Sequence, residues 1–188
     1  MIVLGNGKSR EKVNLNLHHE IKVGCNAIFR DYLVDHLVCC DKKMVKQALY
    51  ADFKPIYTRQ CWVQDFPSAN VIGVPDLPYK GNQRHDDPFH WGSGPYAILL
   101  GATLADQIKL VRFDLYGTEG KLNNIYSDTE GYKSMYDEAV DWSYWTLQIG
   151  KIFECFPKKN FTVYNNIDWE MPKQWKLPNV SLDIIDNL

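Results

Sequence analysis

Short apolar runs alternate along this chain with stretches of helical spacing, and that alternation restricts the fold more than any other feature. The runs are IVLG at 2–5, IKVGCNAI at 21–28, HLVCC at 36–40, PIYT at 55–58 and VIGV at 71–74. Between the third and fourth lies DKKMVKQALY (41–50), with the spacing of a helix. A polar, proline-containing stretch at 75–92 precedes SGPYAILLGATLAD (93–106), which reads as a helix, and IKLVRFDLYG (108–117), which reads as a strand. Such alternation predicts an α/β fold with a doubly wound, mostly parallel sheet flanked by helices. From about 133 to 156, Met135, Ala139, Trp142, Trp145, Ile149, Phe153 and Phe156 recur every three or four positions, the stripe of a core-facing helix. NFTVYNN (160–166) reads as a last strand.

The first run ends in a glycine turn, IVLGNGKS, that resembles a phosphate loop without satisfying either standard pattern. The G-x-x-x-x-G-K-[ST] pattern needs glycine where Ile2 stands. The dinucleotide pattern needs glycine or alanine where Arg10 stands. What both motifs share is a short apolar strand running into glycines, whose main-chain amides can approach an anion without side-chain obstruction. The sheet is therefore expected to be Rossmann-like.

At 188 residues the chain suits one domain, expected at 1–167. The remainder, 168–188, carries Trp169, Pro172, Trp175 and Pro178; it is too broken by proline for a helix and is expected to pack on the domain as an extended arm. Exposed tryptophans there would leave a homo-oligomer open. A formal charge of −2 and no basic cluster argue against a nucleic-acid partner. Cys25, Cys39, Cys40, Cys61 and Cys155 are odd in number and lack paired C-x-x-C spacing, which fits buried thiols in a reducing compartment. No apolar run approaches the roughly 20 residues of a membrane span, so no membrane partner and a cytoplasmic location are expected.

In parallel sheets ligands bind beyond the carboxyl ends of strands, where strand order reverses. Gly5, Asn6, Gly7 and Ser9 follow the first strand, Asn26 interrupts or ends the second, and Asp41 follows the third. Ser93 and Gly94 open the long helix, with Ser93 suited to cap it and Pro95 to its first turn, and Asp114 and Tyr116 end the strand after it. Each has a plain structural role open to it as turn former or cap, but their coincidence at one edge favours a nucleotide-binding site.

The set G-N-G-x-S, C-N, S-G-x-Y-A-x-x-L-[GA] and F-D-L-Y resembles the nucleotide-binding core of the bacterial sialyltransferases of glycosyltransferase family 42. It is also similar to proteins grouped with the archaeal 6-hydroxymethylpterin diphosphokinase. The likeness spans roughly residues 1–130, in pieces. It implies a transferase using a nucleotide-activated sugar, with Gly5, Asn6, Gly7 and Ser9 at the nucleotide's phosphate and ribose. Asn26 would sit beside nucleotide and sugar, and Ser93 and Gly94 would donate to the same ligand. Tyr116 and Tyr126 match two tyrosines that stabilise the leaving phosphate, a scheme in which no metal cofactor is required. The family's later histidine base has no counterpart, because no histidine follows His90. His90, with His85 in the same QRHDDPFHWGSG segment, then becomes the candidate base; Asp86, Asp87 and Asp128 are other candidates for base or metal ligand. A Mg²⁺-dependent diphosphokinase holding metal on Asp41, Asp114 or Asp86/Asp87, and a non-catalytic nucleotide-binding module, are the alternatives. The polar loop LNNIYSDTEGY (122–132) reads either as a lid for sugar or acceptor or as an ordinary surface connection.

Overall fold

The computed structural model describes residues 1–79, 90–113, 123–138 and 141–188; for Ser9, Lys12 and Leu17 it describes the backbone alone. Among the described residues are eight strands, β1 (Ile2–Leu4), β2 (Lys22–Cys25), β3 (His36–Val38), β4 (Ile56–Thr58), β5 (Val71–Gly73), β6 (Gln107–Val111), β7 (Asn160–Asn165) and β8 (Val180–Ile184), and three α-helices, α1 (Lys42–Tyr50), α2 (Ser93–Leu104) and α3 (Ser143–Cys155). All eight strands join one parallel sheet in the order β5-β4-β3-β2-β1-β6-β7-β8.

The chain starts at the centre with β1, steps outward to β5, crosses back so that β6 lies on the other side of β1, and steps outward again to β8. β1 is buried along its whole length, as a central strand covered on both faces must be. Alternation sends its side chains to opposite cores. Val3 packs with Ile98 and Leu99 of α2 and Ile152 and Phe153 of α3. Ile2 and Leu4 pack with Met44, Val45 and Ala48 of α1. Helix α2 is apolar nearly all round because the sheet and α3 bury most of its circumference. The Rossmann-like, doubly wound α/β architecture is therefore present, and every strand pairing is parallel.

Local chemistry shortens two expected elements. The strand expected at 108–117 ends at Val111, since Arg112 turns into the left-handed region at φ 59°. The helix expected from 133 begins only at Ser143. Before it, the Asp137 carboxylate accepts from the Ser134 amide at 3.0 Å, and the Ser134 hydroxyl donates to Asp128 at 2.8 Å; such local bonds compete with a helical ladder.

The tail at 168–188 contributes both core and sheet. Trp175 is fully buried, its indole Nε1 donating to the Thr146 carbonyl at 2.9 Å and its ring meeting Phe153 edge-on at 5.8 Å. Trp169 is half-buried and lies 6.0 Å from Trp175 between ring centres, so the two tail tryptophans pack together instead of standing exposed. Residues 180–184 then pair with β7 as the edge strand β8. Among the described residues, no helix is long and apolar enough to cross a membrane.

Candidate functional site

Where β1 and β6 diverge at their carboxyl ends, the reversal of strand order opens a crevice, and a cavity of about 300 Å³ occupies it. That volume is at the small end of ligand sites. Gly5, Asn6 and Gly7 form its floor beyond β1, Asn26 its wall beyond β2, Asp41 its wall beyond β3, and Ser93 with Gly94 the start of α2. Seven residues singled out from the sequence thus meet in one space.

Gly5 is required by close approach. A Cβ there would stand 2.4 Å from the Arg112 carbonyl oxygen, so any side chain would prise apart the ends of β1 and β6. The Gly5 amide itself is spent on the Val111 carbonyl at 2.9 Å. Gly7, at φ −61° and ψ 144°, has a backbone any residue could adopt. Among the described residues, the main-chain amides of Asn6 and Gly7 take no acceptor. The first amides of α2 lack partners within the helix by construction, and its dipole adds positive potential at the same place.

The side chains of this edge act mainly as fasteners. Asn6 donates through Nδ2 to the Cys25 carbonyl at 3.0 Å and accepts from Arg10 at 2.9 Å. Ser93 does not cap α2; Gly92 holds that position without a side-chain cap, and the buried Ser93 hydroxyl instead accepts from the Cys40 amide at 2.8 Å and donates to Asn26 Oδ1 at 2.7 Å. One hydroxyl therefore ties β2, β3 and α2 together. Asp41 caps α1, accepting from the Lys43 amide at 2.8 Å, and stays exposed on the cavity wall. Asn26 and Arg112, at φ 50° and 59°, are both left-handed residues on this cavity; Asp52 and Asp128 share that conformation elsewhere.

Two expected catalytic residues do not line the cavity. The Tyr126 hydroxyl is buried, accepts from Arg10 at 2.7 Å and donates to the Asp31 carboxylate at 2.6 Å, so its proton is committed within the protein. Burial holds its proton well above the ordinary tyrosine range. His90 is absent from the lining and its carbonyl accepts from Gln148 at 3.4 Å. Tyr116 and Asp114 lie outside the described residues, as do His85, Asp86 and Asp87, and so does the side chain of Ser9. Asp128 is an exposed turn residue bonded to Ser134.

The cavity also gathers residues that motif reading passes over. Phe113, Trp145, Ile149 and Pro95 give it apolar surface, Cys25 and Cys40 contribute neutral thiols, and Asn123 and Asn124 line it from the loop beside the glycine turn. Burial pushes Cys25 up to about 11 and Cys40 up to about 12, so neither is a thiolate at neutral pH. The Asn-Asn pair was visible inside the polar 122–132 loop. Trp145 carried no such signal, because at helical spacing it is indistinguishable from a core residue.

A second cavity of about 390 Å³ lies at the opposite edge, where β2 and β3 begin. Lys22 there donates to the His18 carbonyl, and Glu20 pairs with Lys109 at 2.7 Å, which holds the Glu20 carboxyl below its usual range. The fold and the crevice site define an α/β protein of the doubly wound class with one cavity at its crossover. The chain finds no match among protein-family models, curated proteins or solved structures.

Proposed function

We propose that the chain is a nucleotide-dependent transferase that seats the phosphate of an activated donor in the β1/β6 crevice. The observation that carries this reading is the single cavity shared by Gly7 and by Ser93 and Gly94 of α2. The Asn6-Gly7 turn and the α2 start line the same space, and main-chain donors preorganised in this way would stabilise the charge that grows on a departing phosphate. The apolar side formed by Phe113 and Trp145 suits a ring, as a nucleoside supplies. Resemblance to the family 42 sialyltransferases makes a cytidine monophosphate-activated sugar the first donor to try. In that reaction an acceptor hydroxyl attacks the sugar carbon and the carbon–oxygen bond to phosphate breaks. The electron pair leaves with the nucleoside monophosphate, and the hydroxyl proton passes to Asp41, the carboxylate at the cavity wall.

Asp41 also keeps the Mg²⁺-dependent diphosphokinase reading in view, since a carboxylate beside a phosphate is a metal ligand as readily as a base. Calorimetric titration with cytidine, uridine, adenosine and guanosine nucleotides, in chelator and in Mg²⁺, separates the two. Chelator-indifferent binding of a monophosphate supports transfer from a nucleotide sugar. Affinity for ATP that requires Mg²⁺ supports the diphosphokinase, and millimolar or weaker binding of every nucleotide removes both.

A further inference from the structure

Resting on that reading, we infer that Asn123 and Asn124 are ligand-binding residues whose unpartnered NH2 ends offer hydrogen-bond donors, and so favour a ligand with acceptor-dense phosphoryl or carboxylate oxygens on that side of the cavity. The loop bearing them is seated on the glycine turn: the Ile125 amide donates to the Asn6 carbonyl at 3.0 Å, and Asn124 bridges Gly7 in antiparallel fashion. Each carboxamide is then oriented by a main-chain donor. Asn123 Oδ1 accepts from the Lys8 amide at 3.0 Å, and Asn124 Oδ1 accepts from the Tyr126 amide at 2.9 Å. An amide N–H can only donate, so the atom facing it must be the carboxamide oxygen, and the NH2 group is the end that remains. Among the described residues neither Nδ2 takes a partner, although both side chains line the cavity and are half-buried. The contrast with Asn6 is informative, because there both ends of the carboxamide are bonded within the protein.

Two NH2 groups with their oxygens anchored form a wall that can bond acceptors and cannot accept from a hydroxyl or an ammonium group. Together with the turn residues and the start of α2, they enrich the cavity in donors, and a ligand matched to it is rich in acceptor oxygens.

Asn123→Asp and Asn124→Asp test this, since aspartate keeps an oxygen for the Lys8 or Tyr126 amide while replacing the free donor by an acceptor. Asn14→Asp makes the same charge change outside the cavity, where its side chain accepts from the Asn16 amide, and serves as the control. The probes are cytidine 5′-monophosphate, adenosine 5′-monophosphate and inorganic phosphate, titrated calorimetrically, with each variant's melting temperature measured in parallel. Expected is a loss of about tenfold or more in affinity for Asn123→Asp and Asn124→Asp at near-native melting temperature, with Asn14→Asp unchanged. Wild-type affinity in both cavity variants, or an equal loss in Asn14→Asp, overturns the inference while leaving the proposed function standing. Failure of the wild-type chain to bind any of the three probes overturns the reading beneath it. If one variant does not fold, the other still decides.

Discussion

The Arg10 guanidinium can be buried because acceptors and ring faces surround it: the Gly5 carbonyl, Asn6 Oδ1 and the Tyr126 hydroxyl on one side, with the Tyr32 and Tyr126 rings 5.7 and 5.5 Å from its carbon. Position 10 is where a dinucleotide fingerprint would place glycine, and here a long side chain braces the turn from beneath instead. Tyr126→Phe removes the hydroxyl between Arg10 and Asp31 and should cost about 1–3 kcal/mol in urea unfolding with little change in nucleotide affinity. Lost affinity without lost stability would return Tyr126 to the site. The thiols make a second residue-scale prediction. Cys25 and Cys40 keep their protons to about pH 11 and 12 when folded, against about 9 when unfolded, so their contribution is complete below pH 9 and is lost as pH rises toward 12. Melting temperature should fall over that interval, and fall less steeply in Cys40→Ala; equal slopes would show that this thiol does not titrate as described.

Among the elements, the cluster of strand ends depends on Ser93, which holds the β2 and β3 ends to the first turn of α2. Ser93→Ala strips a buried serine of two hydrogen bonds and should cost about 1–3 kcal/mol while also weakening nucleotide binding, read by melting and titration together. Unchanged stability would mean that water replaces the fastener. In the sequence Ser93 reads as a helix opener and ligand donor but not as a clamp, because a cap and a cross-strand clamp are the same residue type in the same place. Strand and helix identities were legible through β7 because apolar period and glycine turns are local signals. The late start of α3 was not, since the apolar stripe at Met135 and Trp142 continues through residues whose Ser134–Asp137 bonds fold the backbone into turns. The Asn-Asn pair was legible only as part of a polar loop; its seat on the β1 turn and the bonding of Tyr126 to Arg10 were not, because both depend on contacts 115 and 116 positions apart in the chain.

For the molecule as a whole, the two halves of the sheet meet at β1 and β6, and the tail locks the second half. Trp175 is fully buried between α3 and the tail's return to the sheet, so Trp175→Ala should cost about 3–5 kcal/mol and broaden or abolish cooperative unfolding. A near-native unfolding midpoint would show that β8 and its approach are peripheral. Proline spacing hid this role, since it excludes a helix without announcing an edge strand. The crossover that creates the cavity follows from the same topology: the strand order reverses between β1 and β6, with five strands on one side of the switch and three on the other. Backbone amide chemical shifts, followed by NMR while cytidine 5′-monophosphate is added, test the central claim most directly. The expected result is saturable change concentrated at Asn6, Gly7, Ser93 and Gly94; change centred on the His18–Lys22 cavity at the opposite edge, or none at all, would contradict it.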